Sequence, residues 1–288
     1  MRRTIDNEGV IHVSAKARNL VNLSPENFRK DWTKACDYVE QALKRLKSMR
    51  KEDGFGVISP KFLPYFTMIP PLAALLYEAD SKGNKGYKLT KIKKWYWASL
   101  ILHRYSSSTD STMSSDFRDM IDWITEDSKV PKFIQDSINA IGTLDLSEVS
   151  KFTDALYKGV LCLIAIQGGR DFVNNDTVDF SNLDDHHIFP ESKAAEFGVS
   201  NNEIQTILNK TLISRETNRN YIKDKKPSVY VEKIRNDQPT PDDGFFVQRM
   251  ATHLISSDAI EAMMKDNFNQ FISLRASKIK EILLSIFQ

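Results

Sequence analysis

Apolar residues recur at helical spacing along most of this chain. Phe28, Trp32, Cys36, Val39, Leu43 and Leu46 fall on one face of a helix. Ser24-Pro25-Glu26 precedes them as a cap, with proline in the first turn where its missing N–H is no loss. Asp53-Gly54-Phe55-Gly56 closes the segment. The same periodicity predicts helices over residues 71–79, 92–103, 115–126, 130–141, 147–166, 258–264 and 268–287. Residues 81–88, rich in Gly, Lys and Asn, read as a loop, and the Ser/Thr-rich residues 106–115 as a mobile connection. The expected fold class is mainly α: a helical scaffold over residues 1–172, with C-terminal helices over 233–288 packing back onto it. There is no internal repeat.

The pattern changes over residues 173–232. Val178, Phe180, Ile188 and Phe189 are apolar with carboxylates between them, so residues 178–189 read as extended chain, which Pro190 stops. Lys210-Thr211-Leu212-Ile213-Ser214 is a short β-branched run opened by Asn209, and residues 215–222 read as a short helix. Ser214 is a suitable N-cap, although Thr217 rather than Glu stands at the box position. The order is strand, loop, strand, helix.

Chemistry concentrates in that segment. His186 and His187 are adjacent in Asp184-Asp185-His186-His187-Ile188-Phe189-Pro190 at the end of the first strand. A neutral imidazole is a metal ligand and also titrates near neutrality, so a neighbouring pair can divide the tasks of ligand and general base. Successive strand side chains point to opposite faces, which would turn one ring toward a metal and the other toward a substrate. A surface pair beside acids is the bland alternative.

With the asparagines that follow, these residues resemble the HNH endonucleases of the ββα-metal class. The resemblance implies a small ββα-metal module over residues 173–232. It makes His187 the general base, because Ile188-Phe189-Pro190 follow it, and Asn209 the residue bracing the loop that holds the base. His186 and Asn218 take the two metal-ligand positions. His186 stands where many members of the class carry an acid, so charge balance would fall to Asp185 or Asp184 from behind the ligands. The implied cofactor is a divalent metal, Mg²⁺ first, with Mn²⁺, Ni²⁺ and Zn²⁺ also suited to an imidazole. Arg219 and Lys225, flanking Asn218, are the candidate phosphate contacts.

A wider resemblance rests on Leu63-Pro64-Tyr65, Lys94-Trp95-Tyr96-Trp97, Arg104-Tyr105-Ser106, the apolar residues 156–166 before Gly168-Gly169-Arg170-Asp171-Phe172, and Lys226-Pro227-Ser228-Val229-Tyr230. These segments look like the nuclease half of modification-dependent restriction and phage-defence proteins. In that group a ParB-like nucleotide-hydrolysing domain lies upstream. No P-loop or Gly-rich phosphate cradle occurs here, so nucleotide dependence would reside in such a domain or in a separate NTPase partner. The function expected is metal-dependent cleavage of DNA in defence against phage or modified DNA. The alternative is a helical module that binds nucleic acid or a partner and retains a vestigial site.

Composition adds little to this. Hydrophobic residues make up 41% of the 288, enough for a large core, and 40 basic against 38 acidic residues leave a net charge of +2. Locally, Lys210, Arg215, Arg219, Lys223, Lys225, Lys226, Lys233 and Arg235 outnumber Glu216, Asp224 and Glu232, as on a phosphate-contacting face or any solvated helix. Cys36 and Cys162 lie far apart in apolar helical sequence and read as buried free thiols. No signal peptide or membrane span is expected, which points to the cytoplasm and to no membrane partner. Trp95, Tyr96 and Trp97 could stack on bases, but aromatic residues on an amphipathic helix more often fill a core. His103 and His253 lack a ligand partner at helical spacing and read as packing or surface residues.

Overall fold

The structure is a computed structural model and describes residues 2–5, 11–16, 27–81, 83, 85–173, 185–237 and 243–288. Helices dominate, as the periodicity predicts: α1 (Phe28–Lys47), α2 (Ile69–Ser81), α3 (Lys85–Ile101), α4 (Thr109–Thr125), α5 (Lys132–Thr143) and α6 (Ala155–Ile166) build the first part of the chain. A two-stranded antiparallel hairpin, β1 (Arg2–Ile5) with β2 (Ile11–Ser14), lies against α4. No described helix is long and apolar enough to cross a membrane.

Helix α3 is the centre of the first core. Trp95, Tyr96 and Trp97 are all fully buried, so three consecutive aromatic rings find packing partners on different sides of one helix. The base-stacking reading of these rings is therefore set aside. Asp116 of α4, itself fully buried, accepts from Trp95 Nε1 at 2.9 Å, from Tyr105 Oη at 3.1 Å and from the Arg104 guanidinium. A buried carboxylate needs such partners, and these come from two of the sequence segments singled out above. Gly159 of α6 lets that helix close onto α3, since a Cβ there would stand 2.9 Å from Leu100 Cδ2.

Several boundaries differ from expectation. The loop expected over residues 81–88 ends early, because α3 begins at Lys85 and already buries Lys88 and Lys91. Lys91 Nζ donates to the Trp123 carbonyl and pairs with Asp127. The connection expected over 106–115 is largely helix: α4 starts at Thr109, its hydroxyls turn back onto its own carbonyls (Ser114 to Asp110, 2.7 Å), and Met113, Asp116 and Phe117 are buried. Helix α6 begins only at Ala155, where Asp154 caps Leu156 N at 2.7 Å.

The face assigned to α1 is also corrected. Of that face only Leu46 is buried: Phe28, Trp32, Val39 and Leu43 are exposed, and Tyr38 and Ala42 join Leu46 in the core. Cys36 is exposed with that face, whereas Cys162 is buried, and burial pushes its thiol up to about 12. The cap expected at Ser24-Pro25-Glu26 lies outside the described residues.

The second part of the chain has its own buried cluster, centred on Phe172, Ile188, Phe189, Tyr230, Met250, Met263 and Phe271. It is built from β3 (Asp185–His187), β4 (Lys210–Leu212), a short α7 (Arg215–Thr217), and helices α8 (Pro227–Asn236), α9 (Asp243–Thr252), α10 (Ser257–Met264) and α11 (Phe268–Ser285). The sequence pattern did not predict α8 and α9. Helix α11 spans both clusters, with Phe268 and Phe271 in the second and Ile279 and Leu283 in the first. Buried Arg275 of α11 ties the halves further, donating to the carbonyls of Leu208 (2.6 Å) and His253 (3.1 Å).

Candidate functional site

β3 and β4 pair antiparallel, with Asp185 opposite Leu212, His186 opposite Thr211 and His187 opposite Lys210. The pairing extends one step through Ile188 N to Asn209 O at 2.9 Å. Residues 178–184 of the expected extended segment lie outside the described residues. Ile188 and Phe189 are fully buried, and the Phe189 ring packs edge-on against Phe197 and Phe268. These apolar anchors hold the strand end, so the two preceding imidazoles stay half-buried at the protein surface.

Asn209 clamps the chain just beyond His187. Its Oδ1 accepts from Phe189 N at 2.8 Å, while its Nδ2 donates to the carbonyls of Phe189 and Ile204, both at 2.9 Å. The side chain is fully buried, and its three hydrogen bonds go to two backbone segments. Tyr230 Oη adds a bond to the Ile188 carbonyl at 2.9 Å.

The helix that follows β4 is capped twice. Ser214 Oγ accepts from Thr217 N at 3.1 Å, and the buried Asp171 accepts from Ser214 N at 3.0 Å and from the Thr217 hydroxyl. Burial acts to raise the Asp171 pKa, but the bonds from Thr217, Val173 and Ser214 outweigh it and hold the carboxyl below its ordinary value. After Thr217 the helix widens into a π turn, Asn218–Ile222, closed by Lys223 N to Asn218 O at 2.7 Å.

His186, His187 and Asn218 border one cleft of about 250 Å³, together with Pro190, Glu191, Ser192 and Lys223. Both histidines line this cleft, and Nε2 of His186 is buried. Asn209 is fully buried and does not border it. The backbone of Asp185 is in β3, while its side chain and Asp184 lie outside the described residues. Arg219 is exposed on the π turn and Lys225 is half-buried beyond it, but neither borders the cleft.

The cleft's cation is Lys223, which sequence reasoning passed over. Its φ of +48° ends the π turn, a left-handed conformation that lysine rarely adopts and that local sequence does not announce. Glu191 was also missed, although its place directly after Pro190 is a usable signal. The basic excess around Asn218 divides on folding: Lys210 is buried, Lys226 pairs with Glu196 at 2.7 Å, and Lys233 lies over the Tyr221 ring.

Among the described residues no three or more His, Cys, Asp or Glu gather as a metal cluster. The residues lining the cleft include imidazole, carboxamide and carboxylate side chains, those of His186, His187, Asn218 and Glu191. Oxygen donors of these types suit a hard divalent ion and the imidazole nitrogen also admits a borderline one, with water or substrate completing the shell.

Behind β4, His253 is fully buried between Thr211 and Arg170. Its Nε2 donates to the Arg170 carbonyl at 2.5 Å, so its Nδ1 accepts from the Thr211 hydroxyl at 2.6 Å. Burial, helped by the Arg275 charge, lowers its pKa to about 4 despite the Arg170 bond.

No family model matches the chain, and no solved structure matches it. Over 294 aligned positions it is 30% identical to an uncharacterized protein of Methanocaldococcus jannaschii, and the similarity takes in 95% of this chain and 50% of that protein. The chain spans about half the length of the curated relative it matches.

Proposed function

We propose that the chain is a metal-dependent endonuclease of the HNH, ββα-metal type that hydrolyses DNA phosphodiester bonds. The observation that carries this reading is the Asn209 clamp on the backbone after His187, beside a cleft that His187 shares with His186 and Asn218. A base that must take a proton along one line needs its ring held, and the clamp holds the strand end that carries it.

His187 takes the proton from the attacking water. His186 and Asn218 would hold the divalent ion, Mg²⁺ by preference with Mn²⁺, Ni²⁺ or Zn²⁺ also compatible, and Glu191, which lines the same cleft, would add a carboxylate. When bound, the ion supplies positive charge at the phosphate and the departing oxygen. Lys223 contacts the phosphate from the cleft wall, and Arg219 and Lys225 contact the backbone farther out.

A role in phage defence or restriction of modified DNA, with a ParB-like NTPase domain or partner, extends the same reading. The test is incubation of supercoiled plasmid with wild type and His187→Ala in Mg²⁺ and in Mn²⁺. Nicking by wild type alone is expected. Equal persistence of supercoiled DNA with both proteins would favour a nucleic-acid or partner-binding module with a vestigial site.

A further inference from the structure

The ring of His187 has a neighbour that neither the sequence pattern nor the reading above assigns. Gln205 ends a short 3-10 turn, Glu203–Gln205, and its Oε1 lies 3.0 Å from His187 Nε2. The same Oε1 lies 3.3 Å from Lys210 Nζ. An amide oxygen and nitrogen look alike by shape, so the assignment turns on the partners. An ammonium group has three donors and no acceptor, so the atom facing Lys210 is the oxygen. An oxygen can only accept, and His187 Nε2 therefore carries the proton of the bond.

Three features keep this arrangement in place. Lys210 stands directly opposite His187 in the strand pair and is buried, which brings its ammonium group to the same spot. Ile204, next to Gln205, is fully buried, and its carbonyl is held by Asn209. Asn209 thus fixes two backbone segments at once, the one after His187 and the one that presents Gln205.

We propose that Gln205 is the positioning residue of His187: its amide oxygen, oriented by Lys210, holds the ring proton on Nε2 and makes Nδ1 the basic nitrogen. The role in turnover rests on the nuclease reading; the tautomer does not. Gln205 acts through His187, keeping the ring from flipping and from exchanging its two nitrogens. A flipped ring would present an N–H to the attacking water, which cannot take a proton.

The test uses ¹⁵N-labelled protein without metal, above the histidine titration range. Long-range ¹H–¹⁵N correlation should show His187 with a protonated Nε2 and an unprotonated Nδ1. In Gln205→Leu the two nitrogen shifts should move toward the exchange average, and in Gln205→Glu, which keeps an acceptor oxygen, they should stay apart. In plasmid nicking, Gln205→Leu should lower kcat by about 10- to 100-fold with KM little changed, and Gln205→Glu should recover most of that loss. A protonated Nδ1 in wild type overturns the assignment. So do identical nitrogen shifts in wild type and in a Gln205→Leu protein that keeps the wild-type thermal melt. If wild type cleaves nothing, the nuclease reading falls while the nitrogen shifts still decide the tautomer.

Discussion

Asn209 is the residue whose chemistry is most completely used. Replacing it with alanine leaves the Phe189 amide and the Phe189 and Ile204 carbonyls buried without those partners, at a cost of roughly 3 kcal/mol that chemical denaturation would measure. Under the nuclease reading Asn209→Ala also loses cleavage while keeping metal binding, and loss of the metal would contradict the bracing role. His253 gives a separate expectation. Its folded pKa of about 4 is depressed, so as pH falls the unfolded chain takes up the proton first. Its contribution to stability is complete above the ordinary histidine value near 6.5 and declines as pH falls toward 4, by roughly 3 kcal/mol in all. Denaturation midpoints from neutral to acid pH should show that slope in wild type and a shallower one in His253→Gln. Equal slopes would refute it. At this scale the histidine pair stood out as candidates because few residue types can bind metal or move protons, and the two asparagines stood out only through the family resemblance. Gln205, Glu191 and Lys223 did not, since each becomes notable only through what folding sets beside it.

The element that matters most is the helix after β4, too short at Arg215–Thr217 plus one π turn to be stable alone. Its caps are what keep it. Ser214→Ala should cost about 1 kcal/mol, as loss of an N-cap does. Asp171→Ala should cost more, roughly 2–3 kcal/mol, because it frees the Ser214 amide and the Thr217 hydroxyl together. If Asn218 holds the ion, divalent-metal affinity measured by calorimetry should weaken in both variants in the same order. The Ser214 cap was readable from sequence, being local. Asp171 was not, for it reaches Ser214 across 43 positions. The Ser/Thr-rich start of α4 failed for the converse reason: hydroxyls taken to signal a loop satisfied themselves on the carbonyls of their own helix.

Across the whole molecule, two tryptophans with similar local patterns have opposite fates. Trp97 is fully buried, and Trp97→Ala should cost about 3–5 kcal/mol; Trp32 is 61% exposed, and Trp32→Ala should stay within about 0.5 kcal/mol. Thermal melts of the two variants check this directly, and a large loss in Trp32→Ala would mean that the α1 face is covered. Periodicity sets the helices of the scaffold because a helix with apolar positions on one side must bury part of itself. It therefore determined the mainly α class, the position of most helices and the strand-loop-strand-helix order, while the residues suspected as ligands came from the histidine pair and the family resemblance. Only tertiary structure decided which face of α1 packs, where the basic residues point, and that Asn209, Gln205 and Lys210 close around His187. The reason is range: hydrophobic spacing and capping act over one or two turns, whereas these contacts are chosen by which distant elements share a core.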